Sequence, residues 1–318
     1  MNMNHRLLTG ALLFGLLSIA TPAQQTPQTA GTDSPYTLRL SVDEVSLTYH
    51  VSDKRGQSVD DLARGDFELL DNGRLQQRIS SFQFYRNLPV RAGFLIDASG
   101  SMLNDLDRNQ YIANLYATRL LRRGFDKAFV MGFGTELKVT QEWTDNADDI
   151  ASGLRSIPEQ YYGTSGTAIF DSLYKVCRDR WTTDGDVVTG NFILLFTDGV
   201  DNWSHARIDD VINTCQRTRT AIYIFTSQWN LRKPSQGSRT LEELTSKSGG
   251  RIFLNPNEKQ IEKDVSTMDS DQRSQYRLEF APADLHRDGS FHHIGLRCSV
   301  PGALILVRSG YYDVNRNQ

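Results

Sequence analysis

The segment GFLIDASGS, residues 93–101, joins a run of apolar residues to a cluster of side-chain oxygens. Residues 93–96 have the length and composition of a buried strand, and Asp97, Ser99 and Ser101 follow in a D-x-S-x-S arrangement. In a parallel sheet, the loops at the carboxyl ends of the strands form the binding crevice. The segment therefore predicts an α/β fold with a polar site at the end of this strand.

A second polar cluster follows another apolar run later in the chain. The tripeptide TDG at 197–199 comes directly after the run 191–196, and a Gly-Thr pair that ends at Thr167 lies between the two clusters. In a doubly wound sheet of order 3-2-1-4-5-6, strands 1 and 4 are neighbours, so Asp97 and Asp198 are expected to converge. Two carboxylates this close would repel each other unless a cation lay between them.

Helical spacing between the apolar runs supports the same fold class. Residues 107–123, followed by Gly124, place apolar side chains on one helical face, and three later segments do the same. Strands that alternate with helices of this length indicate a mostly parallel sheet covered on both faces.

Side-chain oxygens are common to the five residues of the polar pattern: Asp97, Ser99, Ser101, Thr167 and Asp198. Hard cations prefer such ligands, and Mg²⁺ favours octahedral coordination that keeps some water. The pattern predicts one bound divalent cation, Mg²⁺ by preference, with Mn²⁺ and Ca²⁺ as alternatives. A turn without metal is the competing interpretation, because Asp, Ser and Gly are also frequent in turns.

D-x-S-x-S, Gly-Thr and T-D-G in this order resemble the metal-ion-dependent adhesion site of von Willebrand factor A domains. The resemblance covers about residues 88–265, and the SGG at 248–250 is similar to a recurring T-G-G of that family. It implies metal binding through the hydroxyls of Ser99, Ser101 and Thr167. It implies further that Asp97 and Asp198 bind the metal directly or through water.

The same resemblance implies a function in cation-dependent protein binding of the adhesion type, without catalysis. One coordination position would stay open for an acidic side chain of the partner protein. Thr167 would bind the metal mainly when the partner is present, which would couple binding to a shift of the last helix, about 258–265. Gly100 and Gly199 would let the backbone turn tightly beneath the ion.

Strand-like segments without helices flank the α/β region on both sides. Residues 45–51 and 276–280 alternate between apolar and polar side chains. We predict a doubly wound, mostly parallel sheet at 88–266 that is inserted into or flanked by a small antiparallel β-sandwich, split into 35–87 and 272–315. Two small separate β elements are the alternative.

The flanks carry a second resemblance. Leu62, the pair Asp66-Phe67 and the terminal pair Tyr311-Tyr312 resemble a bacterial subgroup of exported von Willebrand factor A-related proteins best known from acidobacteria. This resemblance implies an exported bacterial protein.

The first 23 residues have the pattern of a secretory signal peptide. Arg6 precedes the apolar run 7–20, and small residues offer cleavage after Ala20 or Ala23. The run is shorter than the roughly 20 residues of a membrane-spanning helix. We expect a cleaved signal at 1–23, a disordered leader at 24–34, and export to the periplasm or the medium with no membrane span in the mature chain.

Charge and motifs exclude several function classes. The formal net charge is −3 with both signs interspersed, which disfavours a nucleic-acid partner. The sequence GTSGT at 163–167 is not the nucleophile elbow of a hydrolase, and no P-loop occurs. A hydrolase, which a turnover screen would detect, and a structural role in envelope assembly remain the alternatives to protein binding.

Cys177, Cys215 and Cys298 allow at most one internal disulfide. Cys177 and Cys215 stand late in two helices that we place on one face of the sheet. A bridge between them and three buried free thiols are both compatible with the sequence.

Several conspicuous residues are given ordinary roles. The RGD at 64–66 is interpreted as a turn, and the NWS at 202–204 as part of the metal face. Trp203 and the pair Tyr161-Tyr162 could form a protein interface or pack under loops, and both interpretations stay open. Three histidines lack metal-ligand spacing and are interpreted as surface or turn residues: His205, His292 and His293.

Overall fold

The computed structural model describes residues 44–76, 78–157, 166–181, 188–226, 234–254, 257–284 and 286–313. The predicted signal peptide and leader, and the pair Tyr161-Tyr162, lie outside the described residues. No helix in the described part of the chain combines the length and the apolar character that a bilayer crossing requires.

The described strands and helices alternate through the middle of the chain, whereas strands alone occupy its two flanks. The strands are β1 (Val45–Ser52), β2 (Phe67–Asp71), β3 (Arg74–Leu75), β4 (Ile79–Tyr85), β5 (Val90–Asp97), β6 (Lys127–Phe133), β7 (Leu137–Thr144), β8 (Gly190–Phe196), β9 (Thr220–Thr226), β10 (Ile252–Leu254), β11 (Gln275–Phe280), β12 (Phe291–Cys298), β13 (Leu304–Val307) and β14 (Gly310–Tyr312). The helices are α1 (Leu106–Arg119), α2 (Ala147–Arg155), α3 (Ile169–Asp179), α4 (Ile208–Arg217), α5 (Gln236–Ser248) and α6 (Glu258–Arg273).

The central sheet has the strand order β10-β9-β8-β5-β6-β7. All neighbours are parallel except β6 and β7. Nearly every residue of β5, β8 and β9 is buried because helices cover both faces, which explains their continuous apolar runs. The predicted doubly wound, mostly parallel sheet is confirmed.

Two apolar layers hold the helices against this sheet. One face buries residues such as Tyr116 of α1, Leu154 of α2 and Met268 of α6. The other buries residues such as Leu173 of α3 and Leu241 of α5. On this second face, Cys177 and Cys215 form a disulfide between α3 and α4, while Cys298 is free and half-buried. The structure thus favours the bridge over three free thiols.

Two antiparallel sheets are built jointly from the two flanks. Their strand orders are β13-β1-β11-β4 and β14-β12-β2-β3. Leu47 pairs with Leu278 in the first, and Leu69 pairs with Leu296 in the second. Side chains from both sheets pack in one apolar cluster, so the flanks form a small sandwich beside the α/β region. The predicted fold class is therefore confirmed.

Some local predictions were wrong. Helix α1 ends at Arg119, not at residue 123, because Arg122 donates its backbone N–H to the buried carboxylate of Asp126 at 2.8 Å. β7 and α2 were missed: β7 is only partly buried and its register with β6 is irregular. The RGD segment forms the predicted turn, one turn of 3₁₀ helix.

His292 also differs from its prediction as a surface or turn residue. It is buried on β12, with Nδ1 lying 3.1 Å from Oδ1 of Asp71 and 3.0 Å from the hydroxyl of Tyr311. His205 and His293 are exposed, as predicted.

Candidate metal centre

Asp97 is the last residue of β5, and β5 lies between β6 and β8. Its side chain is almost fully buried. The backbone N–H of the next residue, Ala98, donates to the carbonyl of Phe133 at 2.7 Å, so the loop that follows is fixed to the end of β6. The parallel topology therefore holds this carboxylate at the carboxyl edge of the sheet.

The carboxylate of Asp97 accepts hydrogen bonds on both oxygens. Oδ1 accepts from the backbone N–H of Ser99 at 2.9 Å, and Oδ2 accepts from the hydroxyl of Thr197 at 2.7 Å. Burial raises the pKa of Asp97 to about 6 even though these hydrogen bonds act to lower it, and the neighbouring charge of Asp198 adds to the rise. A positive charge beside Asp97 would favour its ionised form.

Ser99 and Ser101 place two hydroxyls side by side. Their Oγ atoms are 3.3 Å apart, with Ser99 buried and Ser101 exposed. Ser99 occupies the position before a short 3₁₀ helix, Gly100–Asp105, which follows the end of β5. A Cβ added to Gly100 would meet no protein atom within 4 Å, so the surrounding protein does not itself require glycine at this position.

Thr167 lies just before α3 and is buried. Its backbone N–H donates to Oδ1 of Asn202 at 2.7 Å, and its carbonyl accepts from the N–H groups of Asn202 and Trp203 at 3.1 and 3.2 Å. The N–H of Ala168 donates to the carbonyl of Gly134 at 2.8 Å. The Thr167 segment is thus tied both to the loop after β8 and to the loop after β6.

Asp198 is half-buried in the loop after β8, where Oδ1 accepts from the N–H of Val200 at 3.0 Å. Gly199 has φ +83°, and a Cβ there would come within 2.5 Å of the carbonyl oxygen of Gly237. Glycine is therefore required at this position both by its positive φ and by the close approach of Gly237. The sequence suggested the conformational reason.

Two further acidic residues support the loops. Asp201 accepts from the N–H of Phe170 at 2.9 Å and from the hydroxyl of Ser204 at 2.6 Å. Asp171 accepts from the backbone N–H groups of His205 and Ala206. These contacts join the start of α3 to residues 201–206. Both carboxylates therefore position the loops that carry the predicted ligands.

The five predicted ligands therefore stand on three loops that are joined pairwise. Thr197 links the Asp198 loop to Asp97, Asn202 links it to Thr167, and the end of β6 contacts both other loops. The sequence placed Asn202 at the metal face as part of the NWS motif, but it gave no separate role to Thr197 of the TDG motif.

The donor set consists of two carboxylates and three hydroxyls, which fits a hard divalent cation. Among the described residues, no group of three or more His, Cys, Asp or Glu side chains could hold a metal ion. A cation at this edge would therefore depend on Ser99, Ser101 and Thr167 as well as on the two acids. Soft metals that favour thiolate or imidazole ligands do not suit it.

Residues 93–200 match the family model described as von Willebrand factor type A domain, a range that includes all five residues. Among curated proteins, no match to the chain was found. Similar solved structures include the conserved hypothetical protein BatB from Bacteroides thetaiotaomicron, at 17% identity over 56% of this chain and 96% of that chain (TM-score 0.46). An aerotolerance-related membrane protein from Bacteroides fragilis, with multiple mutations to serines, is 16% identical over 57% and 98% (TM-score 0.46).

Proximal thread matrix protein 1 from the mussel byssus is 14% identical over 59% of this chain and 48% of that chain (TM-score 0.44).

Proposed function

From the von Willebrand factor type A domain that the chain contains, we infer that this protein binds a partner protein through one divalent cation and is not an enzyme. Asp97, Ser99, Ser101, Thr167 and Asp198 would hold the cation, with Mg²⁺ preferred over Mn²⁺ or Ca²⁺. When bound, the cation supplies a positive charge that attracts an acidic side chain of the partner. The five residues of this chain would bind and orient the cation.

The buried carboxylate of Asp97 carries this proposal. Its described hydrogen-bond partners are a backbone N–H and a hydroxyl, neither of which bears a charge. A buried carboxylate close to a second acid is costly unless a cation compensates it. The adjacent hydroxyls of Ser99 and Ser101 provide neutral oxygen ligands for such a cation without adding negative charge.

Exposed apolar side chains on the same loops support a protein partner. Leu103, Val200 and Trp203 are 45%, 43% and 56% exposed. They stand shortly after Ser101 and Asp198 in the chain, and the ring of Trp203 also packs on Gly166, next to Thr167. Aromatic and apolar groups around a charged centre are typical of protein interfaces. The partner would therefore present an acidic residue beside apolar ones.

Export remains part of the proposal. The Cys177–Cys215 disulfide supports it, because disulfides persist in oxidising compartments and are rare in the cytosol. The resemblance of the flanks to exported acidobacterial proteins agrees with such a compartment.

Thermal unfolding in EDTA and after addition of Mg²⁺ or Mn²⁺ tests the cation. A ligand that binds only the folded state raises the free energy of unfolding by about 2.7 kcal/mol at a hundredfold excess over Kd. The wild type should gain stability, and an Asp97→Ala, Ser99→Ala variant should not. No response at millimolar metal, or an equal response in that variant, would contradict the site.

A matched control is available in the sandwich. Asp288 and Ser290 repeat the contact between Asp97 and Ser99, because the N–H of Ser290 donates to Oδ1 of Asp288 at 2.8 Å. The Asp288→Ala, Ser290→Ala variant removes the same groups outside the proposed site, and it should respond to metal as the wild type does.

A further inference from the structure

A polar pocket lies between the β-sandwich and the α/β region. Its lining includes Ser46, Thr48 and His50 of β1, Arg308 after β13, and Arg219 just before β9. Because Arg219 precedes the first residue of a parallel strand, the pocket stands at the edge of the sheet opposite to the candidate metal centre. Its volume of about 40 Å³ exceeds what a single water needs.

Four polar atoms of this lining are buried without a hydrogen-bond partner among the described residues. They are Oγ of Ser46, Oγ1 of Thr48, Nε2 of His50 and Nε of Arg308. Nδ1–H of His50 donates to the carbonyl of Ser274 at 2.7 Å, and Nε2 is 3.6 Å from Oδ1 of Asp271, beyond hydrogen-bond distance. Since buried polar groups are nearly always paired, this concentration in one pocket indicates an occupant.

The charges around the pocket define what that occupant must be. Burial is the main cause that lowers the pKa of Arg308 to about 10, and the nearby charge of Arg219 contributes to this shift. Burial and Arg219 also lower the pKa of Arg277, which stands opposite Thr48 in the strand pairing. The charge of Glu279 acts in the opposite direction on Arg277, but among the described residues no carboxylate contributes to the pKa shift of Arg308.

The one acid of the lining does not neutralise them. Asp271 is already engaged by Arg251, whose Nε and terminal nitrogen donate to its two oxygens at 2.8 and 3.1 Å. The pocket therefore keeps an excess of positive charge. Its unpartnered hydroxyls and the Nε–H of Arg308 are hydrogen-bond donors.

We propose that this pocket binds a small oxyanion of the phosphate or sulfate type. Arg219 and Arg308 would balance its charge, and the hydroxyls of Ser46 and Thr48 would donate hydrogen bonds to its oxygens. Such an anion would relieve the repulsion between the arginines, and its oxygens would accept hydrogen bonds from the buried donors. It would also join β1 of the sandwich to the loop between α4 and β9.

Thermal unfolding in EDTA tests the site independently of the metal centre. Sodium phosphate and sodium sulfate are titrated against sodium chloride and sodium acetate at constant ionic strength, for the wild type and for the variants Arg219→Gln and Arg308→Gln. The exposed Arg297 on β12 supplies the control Arg297→Gln, because it does not line the pocket.

The wild type and Arg297→Gln should gain stability saturably with phosphate or sulfate. Each pocket variant should need at least about tenfold more anion for half of the effect, as expected for loss of a charge-assisted hydrogen bond. An equal response in all four proteins would be general salt exclusion and would overturn the proposal. Absence of a response in the wild type, or an equal response to acetate, would also overturn it.

A crystal soaked in sodium selenate provides a measurement that does not depend on the stability of the variants. Anomalous density for selenium is expected between the side chains of Arg219 and Arg308. Water alone in the pocket at millimolar selenate would overturn the assignment.

Discussion

The hydroxyl of Thr197 donates a hydrogen bond of 2.7 Å to Oδ2 of Asp97, although 100 positions separate the two residues in the chain. The same hydroxyl accepts from the N–H of Gly199 at 3.2 Å. Asp97 and Thr197 are both buried. Thr197 therefore fixes the orientation of the Asp97 carboxylate and the course of the Asp198 loop together.

Replacement of Thr197 by valine should lower the free energy of unfolding by about 1–3 kcal/mol, because it leaves a buried carboxylate oxygen without its donor. Thr197→Ser keeps the hydroxyl and should remain closer to the wild type. Equilibrium unfolding in denaturant measures both variants. Equal stability of Thr197→Val and the wild type would show that this hydrogen bond does not hold the site.

Gly199 and Gly100 allow a paired test of the loop backbones. Gly199→Ala forces a Cβ to within 2.5 Å of the Gly237 carbonyl oxygen at a φ of +83°, so a loss of about 1–3 kcal/mol is expected. A Cβ at Gly100 meets nothing within 4 Å, so Gly100→Ala should change the stability by less than about 0.5 kcal/mol. The two variants are compared by unfolding in EDTA, where a cation cannot contribute. Similar losses in both would contradict this account.

The sequence predicted those parts of the fold that depend on local patterns of apolar residues. β5, β8 and β9 were recognised because strands buried on both faces are continuously apolar. The convergence of Asp97 with Asp198 followed from topology alone, since loops at the carboxyl ends of neighbouring parallel strands meet.

Contacts that depend on distant partners could not be predicted in this way. His292 is buried because Asp71 and Tyr311 provide polar partners for it, and Asp71 is 221 positions away. The side chain of Asn202 accepts from the backbone N–H of Thr167, whereas the sequence placed its motif at the metal face without naming a partner. A periodic pattern records which side chains face the core, but it does not record which polar groups meet there.

The Cys177–Cys215 disulfide should stabilise the α/β region against unfolding. It closes a loop with a sequence separation of 38 residues, and bridges of this kind contribute about 2–4 kcal/mol. Guanidinium unfolding of the wild type should shift to a lower midpoint when dithiothreitol is added. Cys298→Ala should keep this sensitivity, and a Cys177→Ala, Cys215→Ala variant should lose it. A wild-type midpoint that dithiothreitol leaves unchanged would contradict a structural role for the bridge.

Asp126 gives a prediction for acid pH. The residue is fully buried between Arg122 and Arg273, whose side chains donate to its carboxylate at distances from 2.9 to 3.2 Å. Burial alone would raise the pKa of Asp126, but the hydrogen bonds from Arg122 and Arg273 outweigh it and lower the pKa from 3.8 to about 2.

Because the folded-state pKa is depressed, the stability that Asp126 contributes is present above about pH 4 and is lost as the pH falls towards 2. The shift corresponds to about 2 kcal/mol. The difference in unfolding free energy between the wild type and Asp126→Asn should therefore be constant above pH 5 and shrink by about this amount near pH 2. Asp284→Asn, which removes an exposed partner of Arg74, should show little such trend. A difference for Asp126→Asn that stays constant down to pH 2 would mean that the two arginines do not hold this carboxylate ionised.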